Sequence, residues 1–137
     1  MGGGATNPGL QIVGFPNLLT ITGPGSPSVL NNLMINIEQH VDWIADCMDE
    51  LRARGLATIE PTLEAQDAWV EQVNELATLY PAGNSWYLGA NIPSKARAFM
   101  PYLGGIGPYH AKCCEVRDND YEGFVLAGRP PPQKVRG

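Results

Sequence analysis

Charge is scarce in this 137-residue chain, and over one long stretch it is missing. Asp, Glu, Lys and Arg make up 17% of the residues, and none occurs before Glu38. An average soluble domain carries about 25%, and 37 consecutive uncharged residues are odd for a free-standing one. Cysteine is scarce as well. Cys47, Cys113 and Cys114 make an odd count with two adjacent, which excludes the paired framework of small secreted domains and favours a reducing, cytoplasmic setting. No apolar run approaches the ~20 residues of a membrane span, and no basic segment precedes a secretory core, so neither insertion nor secretion is expected. Positive charge is also lacking. Residues 1–75 hold ten acids against Arg52 and Arg54, residues 76–137 hold seven bases against four acids, and the net charge is −5. Binding to nucleic acid or to an anionic membrane is therefore not expected.

What is present is one modest domain's worth of chain, 44% hydrophobic, with no internal repeat. Residues 1–8 are Gly-rich and aperiodic, which reads as disorder or a spurious start. Phe15 to Thr22 contains a β-prone run, Leu18 to Thr22, whose continuous apolar character suits a strand covered on both faces. The Gly23-Pro24-Gly25-Ser26-Pro27-Ser28 turn follows, with Ser26 as expected N-cap and Pro27 at the first helical position. Leu30, Leu33, Ile37, Val41, Ile44, Met48 and Leu51 then mark one buried helix face, and Gly55 marks its stop. Ala57 to Glu60 reads as a short extended link. A second helix starts at Pro61-Thr62 with Trp69, Val73, Leu76, Ala77 and Tyr80 on one side, and Pro81 ends it. Two extended pieces, Ser85 to Gly89 and Ala98 to Pro101, flank a polar loop. A last helix runs from Pro108 to about Asp118, Tyr121 to Leu126 reads as a strand, and Ala127 to Gly137 reads as a tail. A single buried-sheet strand without parallel neighbours implies part of something larger.

Several residues invite a chemical reading, each with a plainer alternative. The Gly23–Ser28 turn sits where α/β proteins bring backbone N–H groups to a cofactor, yet it lacks the third glycine of G-x-G-x-x-G and could be a structural turn. His110 with Cys113 and Cys114 has no further ligands for a tetrahedral metal site, so packing explains it. His40 reads as structural, and the acids along the first helix read as a solvated face. Trp86 and Tyr87, followed by Lys95 and Arg97, could stack a phosphorylated nucleotide or simply alternate along a strand.

Two sets of motifs carry a resemblance. Phe15-Pro16-Asn17-Leu18 with Thr22-Gly23-Pro24-Gly25-Ser26-Pro27-Ser28 and Ile37-Glu38-Gln39-His40-Val41-Asp42-Trp43-Ile44 form the first. Ser85-Trp86-Tyr87-Leu88-Gly89-Ala90-Asn91-Ile92-Pro93, Phe99-Met100-Pro101-Tyr102 and Tyr121-Glu122-Gly123-Phe124 form the second. In this order they resemble the C-terminal part of flavin-dependent Baeyer–Villiger monooxygenases, over Gly9 to Leu126. In the loop after Trp86 this chain has Ser94 and Ala96 where the family commonly has Gly and Pro.

The resemblance implies an α/β segment of a flavoprotein with two dinucleotide-binding domains. Residues 9–56 would be the terminal strand and helix of the FAD domain, 57–126 a C-terminal region of helices and short strands, and 127–137 a disordered tail. It implies FAD and NADPH as cofactors and insertion of one oxygen atom of O2 beside a ketone carbonyl, giving an ester or lactone. Gly23, Pro24 and Gly25 would approach the flavin, Trp86 and Lys95 the nicotinamide nucleotide, and Ser28, Val29, Leu30 and Leu33 the substrate. No catalytic residue and no metal ligand carries over. The glycine-rich cofactor turns and the family's fingerprint are absent from this sequence, so the chain alone is expected to bind FAD and NADPH weakly or not at all and to be inactive. The expected partner is the missing N-terminal FAD and NADP domains. Two other readings stand beside this one: an interaction module that dimerises through uncovered apolar faces, or a subunit that complements a separately made N-terminal half.

Overall fold

The computed structural model describes residues 7–27, 32–79 and 102–128. Five elements follow one another in them: α1 (Leu33–Ala53), β1 (Leu56–Pro61), α2 (Leu63–Ala77), α3 (Ile106–Asp118) and β2 (Phe124–Gly128). The mixture of helix and strand agrees with the α/β expectation. The strands pair antiparallel, from Leu56 opposite Gly128 to Pro61 opposite Phe124, with an irregularity between Leu56 and Thr58.

Local chemistry sets most element ends. Asn32 caps α1 by accepting the Met34 N–H at 3.0 Å. The helix stops where expected, because Gly55 takes φ +64°, a left-handed value that glycine adopts freely, and its N–H bonds the Arg52 carbonyl. Thr62 caps α2 by accepting the Ala65 N–H at 3.1 Å. Tyr109, Cys113 and Val116 recur at four and three residues along α3 and form its buried face.

The core joins all of these. Trp43 of α1 packs edge-on against Tyr121 with ring centroids 5.4 Å apart, leans on Phe124 and donates its indole N–H to the Cys113 carbonyl at 2.9 Å. Leu10, Ile59, Trp69 and Val73 complete the same cluster, so packing is continuous across the 56/57 division read from the sequence.

Several expectations are corrected. Leu18 to Thr22 is not a strand: only an isolated bridge links Leu19 to Gln11, and Asn17 and Thr22 take φ of 61° and 53°. Leu18 and Ile21 are exposed, so no sheet neighbour is present to hold the run extended. Ser26 is not the helix cap, since its hydroxyl donates to the Gly23 carbonyl at 2.6 Å inside the turn. The buried face of α1 is Asn36, His40, Trp43 and Cys47, while Leu33, Val41 and Met48 are exposed. Of its polar members, His40 is hydrogen-bonded at both ring nitrogens and Asn36 through Nδ2. Finally, Asn7 and Pro8 belong to the core, with the Asn7 side chain accepting the Leu10 and Gln11 amides, and Ala57 to Glu60 and Ala127 to Gly128 are strand. Tyr80, Pro81, both extended pieces and the polar loop between them lie outside the described residues.

Cys47 and Cys113 are fully buried, with burial pushing both thiols up to about 11, whereas Cys114 is only half-buried. Titration of the native chain with Ellman's reagent near pH 8 is expected to label one thiol per chain quickly, and all three in guanidinium. Rapid labelling of more than one in buffer would show that the core is open.

Candidate functional site

The turn from Gly23 to Pro27 is gripped from inside by three successive carbonyls. The Gly25 oxygen accepts the Trp69 indole N–H of α2 at 3.0 Å, the Ser26 oxygen accepts the Tyr102 amide at 3.0 Å, and the Pro27 oxygen accepts Nδ2 of Asn36 in α1 at 2.6 Å. Buried carbonyls need such partners. The Gly23 oxygen takes both the amide and the hydroxyl of Ser26.

Two glycines allow this closeness. Gly25 has φ +82°, and a Cβ there would lie 2.9 Å from the Trp69 indole nitrogen. Gly9 has φ +71°, and a Cβ there would lie 2.7 Å from the Pro24 carbonyl. The turn's small residues thus serve backbone packing on one side, whatever lies on the other.

Beneath the turn is an aromatic floor. Trp69 and Tyr102 stack at 5.2 Å with planes 17° apart, and Tyr109 meets Tyr102 at 5.5 Å, Trp69 at 6.0 Å and the His40 ring at 5.6 Å. A cavity of about 250 Å³ opens beside the turn, lined by Ile12, Pro24, Gly25, Trp69, Val70 and Val73 with the amides of Asn7, Gln11 and Gln66.

His40 and Tyr109 form a buried chain of hydrogen bonds. The Thr22 amide donates to Nδ1 of His40 at 3.0 Å, so in the neutral ring the proton sits on Nε2. Nε2 then donates to the Tyr109 oxygen at 2.7 Å, and the Tyr109 hydroxyl donates to the Pro8 carbonyl at 2.7 Å. Burial lowers the His40 value to about 4 and raises that of Tyr109 well above the usual phenol range, with the nearby Cys113 thiol adding to the latter. Both groups are neutral at physiological pH.

Of the residues singled out in the sequence, Gly23, Pro24 and Gly25 stand together in this turn, and Leu33 is the exposed first residue of α1. Ser28, Val29, Leu30, Trp86 and Lys95 lie outside the described residues. Asn36, Trp69, Tyr102 and Tyr109 were missed as residues that hold the turn. Asn36 and His40 gave one usable signal, two polar residues four apart on one helix face. Among the described residues, no group of three or more His, Cys, Asp or Glu could hold a metal ion, and no helix is long and apolar enough to cross a membrane.

No family model matches the chain. Curated relatives do. The chain is 41% identical over 125 residues to acetone monooxygenase (methyl acetate-forming) of Gordonia sp. strain TY-5, covering 89% of this chain and 24% of that protein. It is 42% identical over 119 residues to a Baeyer–Villiger monooxygenase of Pseudooceanicola batsensis, covering 85% of this chain and 22% of that protein. The chain is homologous to a segment of the Baeyer–Villiger monooxygenases. Its fold agrees with that of an oxidised steroid monooxygenase solved with NADP bound, at a TM-score of 0.81 and 49% identity over 93% of this chain and 24% of the other. Another match, at a TM-score of 0.78 and 29% identity over 90% of this chain and 23% of the other, is the OTEMO enzyme in complex with FAD and NADP. The chain spans about a quarter of the length of the curated relatives it matches.

Gly25→Ala would place a methyl group on the Trp69 indole and force alanine to φ +82°. The expected destabilisation is about 1–3 kcal/mol, read as a lower urea midpoint at unchanged slope. An unaltered midpoint would show that the turn is not held in this geometry.

Proposed function

We propose that this chain supplies the C-terminal part of an FAD- and NADPH-dependent Baeyer–Villiger monooxygenase, which inserts one oxygen atom of O2 beside a ketone carbonyl to give an ester or lactone. The observation that carries this reading is the match to such an enzyme over 85% of the chain. In this reading residues 9–56 complete the FAD domain, 57–126 form the C-terminal region, and the protein acts in the cytoplasm. The Gly23-Pro24-Gly25 turn lies against the flavin. Trp86 and Lys95 contact the nicotinamide nucleotide, and Ser28, Val29, Leu30 and Leu33 form an apolar wall of the ketone site.

The turn suits one edge of FAD and no more. Its carbonyls at 25, 26 and 27 are all committed to the protein interior, which keeps acceptor oxygens off an approaching ring. Pro24 and Pro27 have no N–H, so the turn offers too few amides to hold a pyrophosphate. The phosphate contacts must come from glycine-rich turns on other domains. FAD supplies the redox chemistry that activates O2, and this chain's residues position the ring and shape the ketone site. Alone, the chain therefore binds both cofactors weakly and oxygenates nothing.

The test is co-expression of the chain with a relative's FAD- and NADP-binding portion that lacks the matching quarter. A yellow complex with NADPH-dependent conversion of a ketone to an ester or lactone is expected, and neither from the 137-residue chain alone. Oxygenation by the chain alone, or no flavin-containing complex, overturns the reading. A second reading draws on Phe15, Leu18, Ile21, Val41 and Met48, large apolar residues exposed on the described surface. It makes the chain a self-associating module, and a flavin-free, cooperatively melting dimer in sedimentation would favour it.

A further inference from the structure

We propose that His40 is a positioning residue for the Gly23–Pro27 turn, and that only its neutral, Nε2-protonated form holds the turn in place. The inference rests on the reading above for its bearing on flavin chemistry, while its physical content concerns this chain alone.

The starting observation is Thr22. It is β-branched, it is not glycine, and its φ is +53°, a conformation such residues rarely adopt without an external hold. The hold is visible, because the Thr22 amide donates to Nδ1 of His40 at 3.0 Å. Thr22 is the residue immediately before the turn, so its φ and ψ aim the Gly23-Pro24-Gly25 backbone. The other ring nitrogen fixes the opposite end of the same segment, since Nε2 donates to Tyr109, whose hydroxyl donates to the Pro8 carbonyl. One imidazole thus ties both ends of residues 8–22 to α1 and α3.

A proton on Nδ1 destroys this arrangement. The acceptor for Thr22 becomes a donor facing a donor, and a buried cation is created whose hydrogen-bond partners among the described residues, the Thr22 amide and the Tyr109 phenol, carry no negative charge. The groups facing the ring are the Thr22 amide from the N-terminal segment and the Tyr109 phenol from α3, behind which lies the Cys113 thiol. On α1 itself, Glu38 and Asp42 are exposed, and Arg117 of α3 is engaged with Asp46 and Asp118. From α2, the Trp69 ring reaches Tyr109, while the acids Glu64, Asp67, Glu71 and Glu75 are exposed. Thr22 would then relax to negative φ and the turn would lose its aim.

The sign follows from burial. The released ring titrates near its ordinary 6.5 and the held ring at about 4, so the released form binds more protons between these values. The hold is complete above about pH 6.5 and is lost progressively as the pH falls toward 4.

Nuclear magnetic resonance of the full 137-residue chain tests this. At neutral pH the His40 nitrogen shifts should show the Nε2-protonated tautomer. On acidification the Thr22 and Gly25 amides should shift with the same midpoint as His40, well below 6.5, and exchange protection of Thr22 should fall about tenfold. His40→Asn offers an oxygen near the place of Nδ1 and should keep the neutral-pH Thr22 and Gly25 shifts while abolishing their titration. His40→Leu, apolar and without an acceptor, should move both at every pH. The proposal is overturned if His40 titrates near 6.5, if the Nδ1-protonated tautomer is present, or if His40 titrates while the two amides stay still. None of these readouts needs flavin, so failure of the complementation experiment would be seen separately.

Discussion

The Tyr109 hydroxyl accepts a hydrogen bond from Nε2 of His40 and donates one to the Pro8 carbonyl, and this buried junction is where the N-terminal segment meets α1 and α3. Around it the ring of Tyr109 touches Trp69 and Tyr102, which in turn hold the carbonyls of Gly25 and Ser26. Among its described residues the uncharged opening stretch forms no strand pairing beyond the Gln11–Leu19 bridge, and hydrogen bonds running both ways tie it to other elements: the Gln11 and Asn17 side chains donate to the Ile59 and Ala57 carbonyls, the Asn7 amide donates to the Ala65 carbonyl, and the Thr22 amide donates to His40.

This dependence explains why α1 turns a partly polar face inward. Asn36 and His40 are costly to bury without hydrogen-bond partners. Here both ring nitrogens of His40 are bonded, to Thr22 and Tyr109, and Asn36 donates through Nδ2 to the Pro27 carbonyl while its Oδ1 is buried without a partner; Trp43 and Cys47 continue the same face into the core. Part of the helix's apolar stripe, Leu33, Val41 and Met48, is left outward together with Phe15, Leu18 and Ile21, while Ile44 and Leu51 pack against the core.

Much of the local structure was legible. Gly55 as a stop, the start of the second helix next to Thr62 and the end of the last helix at Asp118 follow from propensities that act over a few residues. Leu18 to Thr22 failed for the opposite reason, because strand formation needs a neighbour and the sequence shows only the propensity. The face of α1 was misjudged because hydrophobic periodicity cannot see that Asn36 and His40 have partners 9, 18 and 69 residues away. At the candidate site, the turn itself was legible from Gly23, Pro24 and Gly25, but the residues that hold it were not.

By itself the sequence determined where the first helix stops and the second starts, the reach of apolar content, the scarcity of charge before Glu38 and the motifs that resemble the monooxygenases. Each of these is carried by residues close together along the chain or by their order in it. Only the tertiary structure decided that β1 and β2 pair across more than sixty residues, that Trp69 meets Gly25, and that His40 holds a strained Thr22. Those contacts depend on directions in space, and a linear pattern of residue types does not encode which distant backbone group a buried side chain will find.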